Sequence, residues 1–196
     1  MGGYDFHHVH TALNIEEHSS AFSTPSLFEY IQRICSHREL FFIPGVISGT
    51  TLFPEQPCGF ILQDDFYPLN NFQEIMNKES IPIEQVQAAL ILTILYEALE
   101  SFHIVGMKKG DSLFIEGGFK NNVVYRKLLQ FLLPEQKMLI SNIENASAIG
   151  AAITALSAYK QKAPGDLDCC WHKDWDIHQE SHGLEGVVDF SAVEQY

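Results

Sequence analysis

Between Ser80 and His103 the apolar residues fall on two helical stripes. Ala88, Leu92, Leu95, Leu99 and Phe102 make one, and Val86, Leu90, Ile94 and Ala98 make the other. Two stripes predict a helix buried around much of its circumference. Pro82 stands in its first turn, where a missing N–H costs little. Ser26 to Cys35 places Leu27, Tyr30, Ile31 and Ile34 on one helical face, with Thr24-Pro25 as the start signal. Short apolar runs closed by turn residues predict buried strands at Leu40–Ile43, Phe60–Leu62, Ser112–Ile115 and Lys137–Ile140. Asn122 to Leu133 and Ser147 to Tyr159 read as further helices, the second rich in Ala and Gly.

The remaining segments carry weaker patterns. Residues 1–24, polar and His-rich, are expected to be an irregular or weakly helical lead-in. Gly45 to Gly59, with Gly49, Pro54 and Pro57, is expected to be mostly loop. Asp64 and Asp65 match no pattern and read as surface loop residues. Beyond Pro164 periodicity fades, so 164–196 is expected to be a weakly structured C-terminal tail after a lobe spanning 1–163. No internal repeat is visible. The order strand–helix–strand–helix–strand–helix predicts an α/β fold.

Composition narrows the partners. The chain has 196 residues, the size of one domain or one domain plus a tail. It is 46% hydrophobic and 19% charged, enough apolar material for a core. Lys and Arg number 12 against 25 Asp and Glu, a formal net charge of −13. That balance argues against nucleic acid and against an anionic membrane as partner. The most apolar stretch, Ala88 to Tyr96, falls far short of the roughly 20 residues of a membrane span. Met1 to Phe6 shows neither the basic region nor the apolar core of a signal peptide. The four cysteines are scattered apart from Cys169-Cys170, which suits a reducing, cytoplasmic setting and not a disulfide framework.

The chemistry concentrates between Leu113 and Leu156. A strand ends in Gly117-Gly118 and a helix is expected within about four residues. Glycines at such a junction let backbone approach a ligand, and a helix N-terminus presents free N–H groups. A plain tight turn explains Gly-Gly equally well.

A larger pattern separates these readings. Leu113-Phe-Ile-Glu-Gly-Gly-Phe-Lys-Asn-Asn122, with Tyr125 and Leu128-Leu129, resembles the second domain of the FGGY carbohydrate kinases. So does the later block Glu144-Asn-Ala-Ser-Ala148-Ile-Gly150-Ala151-Ala152. Upstream, Phe41-Phe-Ile-Pro44 with Gly49, Pro54 and Gly59 is similar to that family's Pro/Gly loop. The blocks agree in order and approximate spacing from residue 40 to about residue 157. The resemblance implies an incomplete ribonuclease-H-like lobe of the actin/hexokinase-type ATPase fold. It implies ATP and Mg²⁺ as cofactors, and phosphoryl transfer to a sugar or polyol hydroxyl. By position, Gly117 and Gly118 would lie against the ribose and phosphates and Asn122 at the adenine, with Phe119 and Lys120 flanking. Asn122 also suits a helix N-cap. Lys120 reads better as a solvated lysine, and Gly150-Ala151-Ala152 better as close packing of a helix on a sheet.

Three departures from the family qualify this. Gln85-Val-Gln-Ala-Ala89 stands where many members carry Arg-Ala-x-x-Glu, leaving the sugar open. Glu116 replaces the first glycine of the family's common triple, an acid that fits beside a nucleotide if it faces a ribose hydroxyl or a metal-bound water but otherwise repels phosphate. Members are normally more than twice as long, so the sugar pocket and catalytic Asp are expected on a lobe outside this chain. Gly2-Gly3-Tyr4-Asp5 looks like a base motif but lies too close to Pro44 to serve. The isolated chain is therefore expected to be inactive, and apolar surface normally covered by the first lobe favours a homo-oligomer. The alternative is a non-catalytic nucleotide-binding or interaction module of actin-like fold. A zinc site on Cys169, Cys170, His172, Asp174, His178 and His182 has suitable ligand types but unsuitable spacing. A nucleophilic hydrolase lacks its Gly-x-Ser-x-Gly.

Overall fold

The computed structural model describes residues 2–15, 24–45, 57–141, 146–162 and 177–179. The chain divides into two compact units. The first comprises Met1–Lys108, Val123–Pro134 and His182–Tyr196, the second Lys109–Asn122 and Glu135–Ser181.

The first unit begins with helices α1 (Gly2–Ala12) and α2 (Thr24–His37) and strand β1 (Leu40–Ile43). Strands β2 (Gly59–Leu62) and β3 (Asp65–Pro68) follow, then helices α3 (Leu69–Glu79), α4 (Ile83–Ile104) and α5 (Val123–Leu132). The strands form an antiparallel sheet in the order β1-β2-β3, with Leu40 opposite Leu62 and Leu62 opposite Asp65. Gln63 and Asp64 join β2 to β3 with φ of 51° and 74°, the left-handed pair of a type I′ turn. The ring of Phe60 stacks on Phe72 of α3 at 4.1 Å and tilts against Phe42 of β1 at 5.1 Å. Helix α2 contributes Phe28, Ile31 and Ile34 to the core, and α5 contributes Leu128 and Leu129.

The two-stripe helix is α4. Every side chain from Gln85 to Ile91 is buried, as are Ile94 and Leu95. Its C-terminal end emerges, with Ile104 71% exposed. Thr93 donates its hydroxyl to the Phe42 carbonyl at 2.9 Å, which ties α4 to β1.

The second unit contains β4 (Ser112–Ile115), a short 3-10 turn (Gly117–Asn121), β5 (Lys137–Ser141), α6 (Ala146–Lys160) and β6 (Ile177–Gln179). β4 and β5 are parallel, with Ile115 opposite Ile140, and β6 runs antiparallel to β5.

Several expectations change. The lead-in is helical across α1, where Val9 and His10 are buried and the Phe6 ring tilts against the His10 ring at 4.3 Å. Asp64 sits in the hairpin turn, but Asp65 belongs to β3. Helix α3 buries Leu69, Phe72 and Met76, a stripe thinned by Asn70 and Asn71. The strand β4 is buried only at Ile115, and Phe114 is 56% exposed. Gly150, Ala151 and Ala152 do not pack on a sheet. All three are exposed, and a Cβ on Gly150 would meet nothing within 4 Å. Gly49, Pro54, Glu144, Cys169, Cys170, Trp171, His172, Asp174, Trp175 and His182 lie outside the described residues, as do the side chains of Asp5 and His178.

Candidate functional site

The four residues expected at a nucleotide are brought together by one short stretch of the second unit. β4 and β5 are tied at their amino ends. Lys109 pairs with Glu135, and the Lys137 N–H donates to the Asp111 carbonyl at 3.2 Å. Parallel strands start and finish together, so their carboxyl ends also lie side by side, and ligands of open α/β sheets bind outside such ends. Gly117 and Gly118 leave β4 at that end.

The chain turns there because Gly117 takes φ +66°, a conformation that costs other residues roughly 1–2 kcal/mol. Between the strand and the expected helix lies a 3-10 turn starting at Gly117. The Asn122 N–H closes it on the Phe119 carbonyl at 3.1 Å, and α5 starts at the next residue. Asn122 thus stands where an N-cap belongs. Phe119, Lys120 and Asn122 are half-buried, whereas Glu116, Gly117 and Gly118 are exposed. A Cβ built on Gly117 or Gly118 meets no atom within 4 Å. At Gly118, where φ is not positive, neither backbone conformation nor packing demands glycine.

Missed by sequence reasoning was the exposure of Phe114 on β4. An unbroken apolar run gives no alternation from which a face can be read.

The first unit holds an apolar cavity of about 600 Å³ between β1, α2 and α4. Its polar lining is poorly suited to chemistry. The Thr93 hydroxyl is committed to Phe42, and burial pushes the Cys35 thiol up to about 11, away from the reactive thiolate. Among the described residues, no three His, Cys, Asp or Glu side chains converge as a metal cage, and no helix is long and apolar enough to cross a membrane.

No curated protein matches the chain. Its fold is similar to a carbohydrate kinase from Novosphingobium aromaticivorans, with a TM-score of 0.56 and 16% identity over 100% of this chain. The chain spans 35% of the length of that kinase. The family profile described as the C-terminal domain of the FGGY carbohydrate kinases matches residues 1–164, and the chain belongs to that family.

Proposed function

We propose that the chain is the adenosine-binding half of an ATP-dependent sugar or polyol kinase, built on a ribonuclease-H-like lobe. The observation that carries this reading is Gly118, which lies at the carboxyl end of a parallel strand with open space above it. A glycine that the fold itself does not need is explained by a ligand that approaches its backbone. In this reading Gly117 and Gly118 face the ribose and phosphates, Asn122 meets the adenine, and Phe119 walls the pocket.

In the complete enzyme the γ-phosphoryl group passes from ATP to a sugar hydroxyl, whose proton goes to a base on the other lobe. Catalysis of this kind consists of positioning and charge stabilisation, so a lobe that holds only the nucleotide binds without transferring. Mg²⁺ bound with the phosphates would neutralise part of their charge and would need few ligands from protein. Neither Cys35 nor Cys58 is joined in a disulfide, which fits a reducing, cytoplasmic setting.

Calorimetric titration of the purified chain with ATP tests the reading. Gly118→Val will abolish binding while leaving thermal stability within about 1 kcal/mol, since its side chain enters open space. Asn122→Ala will weaken binding by about tenfold through a lost hydrogen bond. Absence of binding at millimolar ATP would overturn the proposal. The alternative, an interaction module of actin-like fold, would then stand.

A further inference from the structure

Strand β1 lies against β2 on one edge and, among the described residues, against no strand on the other. The register shows which backbone groups face outward. The Gln63 N–H donates to the Glu39 carbonyl at 3.3 Å, so these two residues form a hydrogen-bonded pair. Such pairs recur at every second residue of an antiparallel ladder. Phe41 and Ile43 are therefore bonded to Ile61 and Gly59, whereas Leu40 and Phe42 aim their N–H and C=O groups away from β2. The Phe42 carbonyl follows this direction, since it accepts the Thr93 hydroxyl from α4. Among the described residues, no hydrogen bond reaches the Leu40 N–H, the Leu40 carbonyl or the Phe42 N–H. Both residues are buried, and buried backbone groups without partners are rare and costly. All four residues of β1 line the apolar cavity between β1, α2 and α4. Successive residues of a strand face opposite sides, so a space touching all four follows the strand's edge. Phe41 and Ile43 are half-buried, so this edge is reached from outside.

We propose that the edge pairs with the same edge of a second copy of the chain, antiparallel and in one register. The outward groups are symmetric about Phe41. A two-fold axis there sets Leu40 opposite Phe42 of the second copy and Phe42 opposite its Leu40. The two Phe41 residues then face each other. Four N–H···O=C bonds form, and every unpartnered group is used. The Phe42 carbonyl has two lone pairs, one for Thr93 and one for the second copy. Charge points to the same occupant. At −13 each, two copies repel over most of their surface. No residue lining the cavity is charged, so this strip is where they meet at least cost. A polar segment from elsewhere would gain the ladder bonds but lose its solvation against apolar walls. One strand pair is smaller than a standard interface, so the dimer is weak. The inference gives the expected homo-oligomer a definite register and does not depend on the nucleotide reading.

Sedimentation velocity of the full chain over rising concentration tests this. The chain will dimerise with a Kd on the order of 10–100 μM, and added salt will tighten it by screening the repulsion. Phe41→Lys and Phe41→Glu will each stay monomeric, because like charges directly opposite repel. An equimolar mixture of the two will restore a dimer within about tenfold of the wild-type affinity, since only this register sets position 41 against itself. Hydrogen exchange of the wild-type chain, read by NMR, adds a test that alters no side chain. Where the dimer prevails, the Leu40 and Phe42 amides will exchange at least about tenfold more slowly than in the monomer, and those of Phe41 and Ile43 will change far less. A chain that stays monomeric at millimolar concentration overturns the inference. So does a dimer with unchanged exchange at Leu40 and Phe42, which would pair through another surface. Full protection of both amides already in the monomer overturns it too, because another part of the same chain would then cover the edge. If the Lys and Glu variants fold by circular dichroism yet fail to associate when mixed, the register is wrong.

Discussion

Gly117 and Gly118 are adjacent, yet the structure asks different things of them. Gly117 must hold φ +66°, so Gly117→Ala will lower the unfolding free energy by about 1–2 kcal/mol in urea titrations. Gly118→Ala will shift it by no more than about 0.5 kcal/mol, because its Cβ meets nothing. Gly59 is a third case: a Cβ there would strike the Tyr67 carbonyl oxygen and approach the Phe66 ring at 2.8 Å. The sequence identified Gly117-Gly118 as informative but offered no means of separating a conformational glycine from a spatial one. That distinction needs the backbone angle and the surrounding atoms. Two buried acids add a pH signature. Burial raises the Cys35 thiol from 9.0 to about 11 and the Tyr125 hydroxyl from 10.0 to about 12. The unfolded chain loses these protons first, so stability is fully present below pH 9 and falls as pH rises toward 12. Cys35→Ser and Tyr125→Phe will each flatten that fall in denaturation midpoints measured across the range.

Among the elements, α4 and β1 were legible because their patterns are strong and local. A double apolar stripe can only belong to a buried helix, and an apolar run closed by Pro-Gly ends as a strand. Leu90→Ala in the buried part of α4 will cost about 2–5 kcal/mol, while Ile104→Ala at its exposed end will cost little. The β2–β3 hairpin was not legible, since Gln63-Asp64 lacks the Asn-Gly signature that its left-handed angles call for. Replacing the pair by Asn-Gly will therefore stabilise the first unit by about 0.5–2 kcal/mol, read as a higher melting temperature. Helix α6 fails in the opposite direction. Small residues suggested close packing, but composition says only that a neighbour could approach, not that one does.

At the scale of the whole molecule, the family was readable because blocks spread from Phe41 to Ala152 agree in order, which no single motif achieves. The division into two units was not readable, because it depends on contacts between segments distant in sequence. The net charge of −13 implies self-repulsion in the compact state. Salt at about 0.5 M shortens the screening length to a few ångströms and will raise the melting temperature. One feature of the first unit governs how the protein behaves in the tube. Strand β1, Leu-Phe-Phe-Ile, carries ladder hydrogen bonds to β2 alone among the described residues. A short, uncharged apolar strand bonded on one side is a template for another chain's backbone. Loss of material on concentration will therefore follow second-order kinetics at temperatures well below melting, and a lysine in place of half-buried Phe41 will slow it.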